Sequence, residues 1–488
     1  MGLNIRTLDG GTTLLPNDIV DDFRASFKGQ LLTADTPGYD VARSIWNAMI
    51  DRRPALIARC ANAGDVALAV RFARENSLLM SVRGGGHNIA GNAVAEQAFM
   101  IDLSTMRAVL VDTDRRTARV EPGATLGDFD RAAQEHGLAT PLGVNSTTGV
   151  AGLTLGGGFG WLSRRFGLSS DNLIGADVVT ATGDRIRASK DENAELFWGL
   201  RGGGGNFGVV TSFEFKLHNV GPEVLAGLIV HPIDDAKKVL QFYRQFAPET
   251  PDELAVWFVL RKAPPLPFLP AEWHGREILV LAACYSGDLA DGERILAPLR
   301  QFGRPIADVI GPQPYAAWQT VLDPLLTPGM RNYWKSHDFL DIDDGLIDVL
   351  LDFAHRLPDP HTEIAFAQLG GAVSRLTNGE TAYSRRDAQY LVNLHTRWAE
   401  AAGDEAGIAW ARNLFKAAAP FSTGSVYVNF LASDDEGRVR AAYGANYERL
   451  VALKNRYDPT NLFRVNQNIQ PTSFTLPKTE VAEARSAI

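Results

Sequence analysis

Three glycine-rich segments constrain this chain more than any other feature, because glycine is used where the backbone bends sharply or approaches another group closely. The first segment, residues 83–87, reads RGGGH and follows a short apolar run at residues 78–82. A histidine at the exit of such a turn, with an arginine at its entrance, is an arrangement that chemistry can use. The alternative is a structural turn with a satisfied histidine, and both interpretations stay open on this segment alone.

The second segment, residues 143–160, holds seven glycines and no charged residue. Small side chains and free backbone N–H groups suit close contact with a large anionic or flat ligand, such as a pyrophosphate joined to a ring system. The alternative is a surface loop, but Val150, Leu153, Leu155 and Phe159 are unsuited to solvent. The segment therefore predicts one wall of a ligand site.

The third segment contains Gly203, Gly205 and Gly208, which match the dinucleotide fingerprint GxGxxG. That motif requires a strand before it and a helix after it, so that the helix N-terminus meets the pyrophosphate. Here a predicted helix at 193–200 precedes the glycines and a predicted strand at 209–217 follows them. The sequence therefore predicts no Rossmann site, and it contains no GxxxxGK[ST] motif of a P-loop NTPase.

The pattern of apolar residues predicts a strand-helix-strand unit at residues 55–58, 62–75 and 78–82, and such a unit usually forms a parallel pair of strands. Residues 17–50 are predicted to be helical around a loop at 35–38. The further predicted elements of the first half are strands at 99–103, 108–112, 117–123, 174–180 and 209–217, and helices at 126–137 and 193–200.

The second half has a different texture, in which strand-like and helix-like runs alternate. This pattern predicts an antiparallel sheet backed by helices. The predicted strands are at 226–231, 254–260, 277–285 and 364–369, and the predicted helices are at 236–246, 292–300, 344–354 and 388–401.

Charge and cysteine content exclude several classes of protein. The net charge is -9 at pH 7 and no basic block occurs, which argues against a nucleic acid or an anionic membrane as a partner. Cys60 and Cys284 are the only cysteines and no CxxC or Cys/His cluster occurs, so no metal site is predicted. Without an apolar signal core or a run of about 18 apolar residues, the predicted location is the cytoplasm. The polar tail at 478–488 is predicted to be loosely ordered.

The end of the chain ties the glycine segments together. Residues 454–469 read KNRYDPTNLFRVNQNI, and residues 156–160 read GGGFG. With RGGGH at 83–87, these motifs resemble the berberine-bridge-enzyme-like oxidases, which belong to the vanillyl-alcohol-oxidase/PCMH flavoprotein family. The resemblance covers residues 37–470.

The resemblance implies an α+β fold in three sequence blocks. A PCMH-type FAD-binding domain with two subdomains is expected at residues 1–224. An antiparallel substrate-binding sheet backed by helices is expected at 225–440. A C-terminal segment at 441–488 is expected to return and complete the FAD-binding domain.

The resemblance also implies a covalent bond from His87 to the 8α-methyl group of FAD. Some relatives carry a second bond from a cysteine, but Asn145 stands at that position here, so a single bond is predicted. Thr148 stands where the family places a side chain over flavin C4a, and its small size favours an oxidase. The predicted cofactor-binding residues are Arg83, Gly84, Gly85, Gly86, His87, Asn88, Gly143, Thr147, Thr148, Gly149, Gly152, Gly156, Gly157, Gly160, Val210, Asn466 and Asn468.

The substrate sheet is expected to cover the flavin ring, and its predicted substrate-pocket residues are Trp257, Tyr333, Phe366 and Gln368. For the aromatic residues the alternative is core packing, and for Gln368 it is a strand end that meets water. The family places a tyrosine of a YxN strand beside flavin N5, which makes Tyr427 the catalytic candidate; the alternative is an ordinary strand tyrosine. A phenol has a pKa near ~10, so a base role requires a nearby cation, and Lys335 is the predicted partner.

The leading interpretation is an FAD-dependent oxidase of an alcohol, sugar, amine or secondary metabolite, with oxygen as acceptor and hydrogen peroxide as product. The expected partners are a small-molecule substrate and molecular oxygen. Two alternatives stay open: a flavin-dependent dehydrogenase that uses another acceptor, and a flavin-loaded binding protein without turnover. The oligomeric state is left open by the sequence.

Overall fold

The computed structural model of the protein describes residues 2–472, and the predicted loosely ordered tail at 478–488 lies outside this range. The strands of the first half are β1 (Gly2–Arg6), β2 (Thr12–Pro16), β3 (Gln30–Leu32), β4 (Leu56–Arg59), β5 (Met80–Arg83), β6 (Phe99–Asp102), β7 (Val109–Asp112), β8 (Thr117–Val120), β9 (Leu138–Ala139), β10 (Leu173–Val179), β11 (Arg185–Ser189), β12 (Val209–Lys216) and β13 (His218–Asn219). The helices of the first half are α1 (Asn17–Ser26), α2 (Tyr39–Arg43), α3 (Ala63–Glu75), α4 (Leu126–Gln134), α5 (Val150–Leu155), α6 (Ser163–Phe166) and α7 (Ala194–Leu200).

The second half contains the longest strands. They are β14 (Glu223–Pro232), β15 (Leu254–Lys262), β16 (Glu277–Tyr285), β17 (Ala307–Asp308), β18 (Gly311–Pro314), β19 (Arg331–Phe339), β20 (Glu363–Gln368) and β21 (Tyr390–Trp398). The remaining helices are α8 (Ala236–Phe246), α9 (Leu289–Gln301), α10 (Tyr315–Trp318), α11 (Asp344–Ala354), α12 (Asp404–Ala418), α13 (Val439–Tyr443) and α14 (Tyr447–Tyr457). Within residues 2–472, every helix is too short or too polar to cross a lipid bilayer.

A four-stranded sheet in the order β3-β4-β6-β5 carries the first glycine segment. Strands β4 and β5 are both parallel to β6, which lies between them, so the predicted strand-helix-strand unit does not form an adjacent pair. The prediction that residues 17–50 are helical is wrong over β3, because Leu31 and Leu32 pair with β4 and are buried. The turn at residues 84–87 leaves the carboxyl end of β5, the edge at which parallel sheets bind ligands.

A five-stranded antiparallel sheet, β11-β10-β12-β8-β7, forms the second part of the first half. Helix α4 packs near it and begins with a capping box between Thr125 and Asp128. The C-terminal helix α14 returns to the same core, where Leu450 and Leu453 are buried with Phe207 and Phe213. This packing supports the proposal that the C-terminal segment completes the domain formed by residues 1–224.

An antiparallel sheet of eight strands dominates the second half, in the order β17-β14-β16-β15-β20-β21-β19, with β18 also paired to β14. Helices α8, α9, α11 and α12 cover one face, which we call the helix face, through buried leucines such as Leu240, Leu296, Leu350 and Leu414. The opposite face looks toward the glycine segments, and we call it the cavity face. The α+β class predicted from the sequence is confirmed.

The predicted helix at 388–401 is wrong, because these residues contain strand β21. Along this strand, Val392 and Leu394 belong to the core under the helices, whereas Asn393 and His395 line the cavity on the other face. Side chains that alternate between two faces are the pattern of a strand. Polar and apolar residues are mixed over residues 388–401, and this mixture hid the alternation.

Lys454 joins the C-terminal helix to the third glycine segment through a fully buried ion pair. Its ammonium group lies 2.7 Å from Asp458 and donates to the carbonyl groups of Asn206 and Phe463, both at 2.9 Å. Lys454→Met would leave the Asp458 carboxylate buried without its cation, and we expect a loss of about 3–5 kcal/mol in the free energy of unfolding. Urea unfolding followed by circular dichroism measures this loss.

The matched control for this prediction is Lys237→Met, which removes an exposed pair with Asp348. Exposed pairs contribute about 0.2–1 kcal/mol, so the control should unfold almost as the parent does. Equal effects of the two substitutions would contradict the assigned role of Lys454.

Candidate functional site

A cavity of about 440 Å³ separates the glycine segments from the cavity face of the sheet. All three glycine segments and the C-terminal segment contribute to its floor. The floor residues from these segments are Gly84, Gly85, Gly86, His87, Asn88, Gly143, Val144, Asn145, Thr148, Gly149, Ala151, Gly152, Leu153, Leu155, Phe159, Gly204, Gly205, Asn206, Gly208, Val209, Val210, Phe463, Val465, Asn466 and Gln467. The segments that the sequence singles out therefore meet around one space.

His87 projects from the first glycine segment into this cavity between an aromatic ring and two hydroxyl groups. The indole of Trp46 stacks on its imidazole, with ring centroids 5.1 Å apart and planes inclined by 22°. Nε2 lies 2.9 Å from the hydroxyl of Thr147, and Nδ1 lies 3.4 Å from that of Thr148. Burial lowers the pKa of His87 to about 3, so the imidazole is neutral and keeps a nitrogen lone pair at neutral pH.

The first two glycine segments touch through their backbones. A side chain at Gly85 would overlap the backbone nitrogen of Gly149, and a side chain at Gly149 would overlap Gly85. The N–H of Val150 donates to the carbonyl of Ala124 at the start of helix α5. Glycine is therefore required at both positions to bring the RGGGH turn beside the second segment.

Other positions in the floor suit a large ligand. A side chain added at Gly152 or Gly205 would meet no protein atom within 4 Å, so both positions open into the cavity. Within the described chain, the backbone N–H groups of Gly85, Gly86 and His87 donate to no protein acceptor. The side-chain oxygen of Asn466 is also buried without a partner. Free N–H groups around a glycine turn suit phosphate oxygens, and the Asn466 oxygen suits a hydroxyl or N–H donor of the ligand, so these features fit FAD.

Several predicted cofactor residues do not line the cavity. The buried guanidinium of Arg83 donates to the Ala42 carbonyl beneath the turn. Thr147 precedes the cavity residue Thr148 and does not itself line the cavity. Its hydroxyl contacts two residues that do, His87 and Asn145. Asn468 is likewise absent from the lining and keeps a buried side-chain oxygen without a partner.

Three further predicted cofactor glycines, Gly156, Gly157 and Gly160, also lie outside the cavity lining. A side chain at Gly156 would overlap Asn429, and one at Gly160 would overlap the Leu142 carbonyl. Gly157 lies under the ring of Tyr383. These glycines are explained by close packing of protein groups.

Four predicted pocket and catalytic residues lie on the helix face of the sheet. Phe366 stacks on Phe258 with ring centroids 4.5 Å apart, inside the core under the helices. The side chain of Gln368 is satisfied by two backbone groups at 3.0 Å, so it meets neither water nor the cavity. Tyr333 donates to Asp434 at 2.7 Å, on the same face as Lys335. For these four residues, the prediction placed the side chains on the wrong face of the sheet. Successive residues of a strand point to opposite faces, so an error of one residue moves a side chain from the cavity to the core.

Lys335 is held by Asp435 at 2.8 Å and Asp434 at 2.9 Å. Burial disfavours its charge, but the hydrogen bonds to Asp435 and Asp434 prevail and raise the pKa of Lys335. The acidic partners and the helix-face position separate it from Tyr427. The prediction that Lys335 activates Tyr427 is therefore wrong.

The cavity face carries residues that sequence reasoning missed, together with the predicted Trp257. The missed set includes an ion-paired row in which Arg261 donates to Glu363 at 2.7 Å and His395 lies 3.3 Å from the same carboxylate. Burial opposes the charge of Glu363, but Arg261 and His395 lower the pKa of Glu363 to about 2. A charged residue in a strand was the available signal for this row. The missed residues on the cavity face are Arg261, Trp334, Glu363, Asn393 and His395, and those elsewhere in the cavity wall are Trp46, Asn429 and Phe430.

Tyr427 lines the cavity and precedes a short 3-10 turn at Val428–Phe430, so it is not on a strand as predicted. Its phenol oxygen accepts hydrogen bonds from the N–H of Gly158 at 3.0 Å and the amide of Asn429 at 2.9 Å. Burial raises the pKa of Tyr427 to about 12, although these hydrogen bonds oppose the rise. The hydroxyl therefore stays protonated and is available as a hydrogen-bond donor.

Comparisons with known proteins agree with this site. Residues 54–189 match the FAD binding domain model, and residues 426–470 match the model named berberine and berberine like. The (R)-6-hydroxynicotine oxidase of Paenarthrobacter nicotinovorans is 33% identical over 464 residues, covering 91% of this chain and 97% of that protein. The FAD-linked oxidoreductase YgaK of Bacillus subtilis, itself uncharacterised, is 31% identical over 463 residues, covering 93% and 99%.

A solved structure shows the same architecture. The crystal structure of 6-hydroxy-D-nicotine oxidase from Arthrobacter nicotinovorans has a TM-score of 0.82 and 32% identity, covering 91% of this chain and 98% of that chain. A chitooligosaccharide oxidase at 24% identity has a TM-score of 0.82, covering 93% and 99%, and shares the fold.

The fold, the glycine-lined cavity and the matched FAD-binding domain define the class of FAD-dependent oxidoreductases. Identity above 30% over nine-tenths of the chain then makes the assignment specific. The chain belongs to the berberine-bridge-enzyme-like family of FAD-linked oxidoreductases. The family and the enzyme class predicted from the glycine segments and the C-terminal motif are confirmed.

Proposed function

We propose that the protein is an FAD-dependent oxidase that removes a hydride from a small-molecule alcohol, sugar, amine or secondary metabolite, with oxygen as acceptor and hydrogen peroxide as product. The observation that carries this proposal is that His87, the glycine segments and Tyr427 line one cavity. When bound, FAD supplies the acceptor for the hydride and passes two electrons to oxygen. The chain supplies binding, orientation and hydrogen bonds.

We assign to FAD those predicted cofactor-binding residues that also line the floor of the cavity. The free N–H groups of the first glycine turn hold phosphate, and Gly152 and Gly205 leave room for the cofactor. The assigned set is Gly84, Gly85, Gly86, His87, Asn88, Gly143, Thr148, Gly149, Gly152, Val210 and Asn466.

His87 forms a single covalent bond to FAD in this proposal. Its neutral imidazole supports the role, because the unprotonated nitrogen is the one that can form a new bond. Asn145 carries no thiol, and its amide oxygen accepts from the backbone N–H of Thr147 at 3.0 Å. Residue 145 therefore has no nucleophile with which to form a second covalent bond to FAD.

The small side chain beside His87 supports the proposed use of oxygen. Thr148 lines the cavity, and a threonine leaves more open space there than a leucine. This favours an oxidase over a dehydrogenase that excludes oxygen. Tyr427 donates a hydrogen bond to the hydroxyl or amine of the substrate and so orients the carbon that loses hydride.

The test combines three measurements on the purified protein: acid-stable colour, peroxide release, and anaerobic bleaching followed by reoxidation. Yellow colour that stays with acid-precipitated polypeptide establishes the covalent bond. Peroxide release with a substrate panel in air separates the oxidase from the alternatives. Flavin that substrates bleach anaerobically, but that oxygen does not recolour, supports a dehydrogenase. Flavin that no substrate bleaches leaves the binding protein as the better interpretation.

Trp46 provides a prediction about the covalent bond. It stacks on His87, its backbone N–H donates to the Gly86 carbonyl at 3.1 Å, and its indole donates to Leu326 at 3.0 Å. Such stacking contributes about 0.5–1.5 kcal/mol, so Trp46→Ala should lower the population of the productive His87 orientation about 2- to 12-fold. The measurement is the fraction of acid-stable flavin in the purified protein.

The control is Trp46→Phe, which keeps a ring over His87 and loses the indole N–H. We expect this variant to retain most of the acid-stable flavin. An unchanged fraction in Trp46→Ala would show that Trp46 does not orient His87.

A further inference from the structure

The cavity face of the sheet is organised in rows that cross neighbouring strands. Arg261 pairs with Glu363, Glu363 with His395, and His395 with Trp334, so these four residues form one row. The next row contains Val259, Ala365 and Asn393. Side chains of one row stand side by side, because neighbouring strands lie about 4.8 Å apart.

The third row places small side chains at the centre of the sheet. Ala282 pairs with both Leu228 and Trp257, and Ala367 pairs with Leu391. With Ala365 in the second row, the two alanines of β20 lie between β15, which carries Trp257, and β21, which carries Asn393, whereas Ala282 lies on the far side of Trp257. The sheet therefore has a shallow recess over the floor at Ala365 and Ala367, and we call these two residues the alanine recess.

One side of the alanine recess is almost entirely apolar. The strands supply aliphatic side chains there, and the loop that follows β15 adds more. The residues on this side are Leu228, Val230, Val259, Leu266, Phe268, Leu269, Ile278 and Val280. A sugar placed here would leave several hydroxyl groups without partners, and each buried unsatisfied group costs about 1–3 kcal/mol.

The charged row on the other side does not supply those partners. One oxygen of Glu363 accepts from Arg261 and the other faces His395, so both are engaged. The second imidazole nitrogen lies 3.1 Å from the amide oxygen of Asn332. In contrast, the side-chain oxygen of Asn393 is buried beside the recess without a partner. The recess and the charged row therefore offer one unpartnered acceptor, the Asn393 oxygen, and two unpartnered indole N–H donors, those of Trp257 and Trp334, which is too few for the hydroxyl groups of a sugar.

We propose that the substrate is a flat aromatic molecule whose oxidisable carbon bears a single hydroxyl or amine group. Its ring occupies the alanine recess against Trp257, and its polar hydrogen is donated to Asn393. This inference rests on the proposed oxidase function and narrows its substrate. For an alcohol, the carbon would lose a hydride to FAD and the hydroxyl would lose its proton to solvent, which leaves a carbonyl; molecular oxygen would then take two electrons from the reduced flavin and two protons to become hydrogen peroxide.

The test is a titration of the flavin-loaded protein with 2-naphthalenemethanol and with cellobiose, read from the flavin difference spectrum. We expect saturable binding of 2-naphthalenemethanol alone. Ala365→Phe fills the recess and should weaken binding at least about tenfold. The control Val41→Phe adds the same ring at an exposed position outside the cavity lining and should bind as the parent does.

A second variant isolates the polar contact. Asn393→Leu should weaken binding of 2-naphthalenemethanol about tenfold and leave that of 2-methylnaphthalene unchanged, because the latter has no hydroxyl. The inference would be overturned if cellobiose bound saturably and 2-naphthalenemethanol did not. It would also be overturned if Ala365→Phe bound 2-naphthalenemethanol with unchanged affinity. Acid-stable colour and peroxide release report separately on the proposed oxidase, so failure of one proposal is distinct from failure of the other.

Discussion

His87→Ala is expected to lose all of the acid-stable flavin while the fold is retained. Of the two positions at which the resemblance implies attachment of the flavin, position 87 carries an imidazole and position 145 carries an amide, so we assign the proposed bond to His87. The variant should still bind FAD through the glycine turn, whose free N–H groups do not depend on the imidazole. Acid precipitation followed by fluorescence of the pellet and the supernatant measures the change.

The same variant should be reduced more slowly by substrate. A nitrogen attached at the 8α position withdraws electron density from the ring, and its loss makes the ring a weaker electron acceptor. Stopped-flow reduction under anaerobic conditions measures this rate. The exposed His136 provides a matched control, because His136→Ala removes an imidazole far from the floor residues.

Two outcomes would contradict this assignment. Acid-stable flavin in His87→Ala would place the bond on another residue. Colourless acid-precipitated parent protein would remove the covalent bond altogether, although the FAD-binding domain would stand on its own observations. Partial retention in the parent with none in the variant would still support His87.

The sequence predicted the glycine-rich floor of the cavity better than the cavity face of the sheet, and the reason is physical. Glycines mark backbone that touches something, and the contact of Gly85 with Gly149 is such a case. What they touch is not encoded locally. Gly156 and Gly160 are small because Asn429 and the Leu142 carbonyl lie against them, although they were predicted to contact FAD.

Predicting which sheet residues line the cavity requires knowing which of the two faces of each strand is turned toward it. Residues 364, 366 and 368 alternate with residues 363, 365 and 367; the first set is buried, and in the second Ala367 is buried while Glu363 and Ala365 are half-buried. Burial under helices and burial over a cavity look alike in a sequence. The charged Glu363 was the local sign of the cavity face, and its partner His395 lay in a segment predicted to be helical.

Trp46 illustrates a contact that no local pattern announces. It lies between helix α2 and strand β4, in residues predicted to be helical, and it reaches both His87 and Leu326. Such a residue joins segments 41 and 280 positions away in the chain. Only the assembled fold brings these segments together.

Tyr427→Phe is expected to keep bound FAD and to reduce the rate of substrate-driven flavin reduction about 10²–10³-fold, the effect of removing one well-placed hydrogen-bond donor. The parent phenol accepts from Gly158 and Asn429, which fixes the oxygen and leaves its proton to be donated. Stopped-flow mixing of the oxidised protein with substrate, without oxygen, measures the rate directly.

The pH dependence separates a donor from a base at this position. Burial raises the pKa of Tyr427 to about 12, so the neutral phenol persists throughout the range from pH 6 to about 10. A base would instead become more effective as pH rises through its pKa. We therefore expect the parent and Tyr427→Phe to differ in rate by a constant factor across this range.

The neighbouring Tyr383 supplies the control. Its ring centroid lies 6.4 Å from that of Tyr427, and it is buried outside the cavity lining. Tyr383→Phe removes an equivalent hydroxyl and should leave reduction nearly unchanged. If Tyr427→Phe instead removed an alkaline rise in the parent profile, Tyr427 would be a base after all, and a cation other than Lys335 would have to stabilise its phenolate, because Lys335 is paired with Asp434 and Asp435 on the opposite face of the sheet.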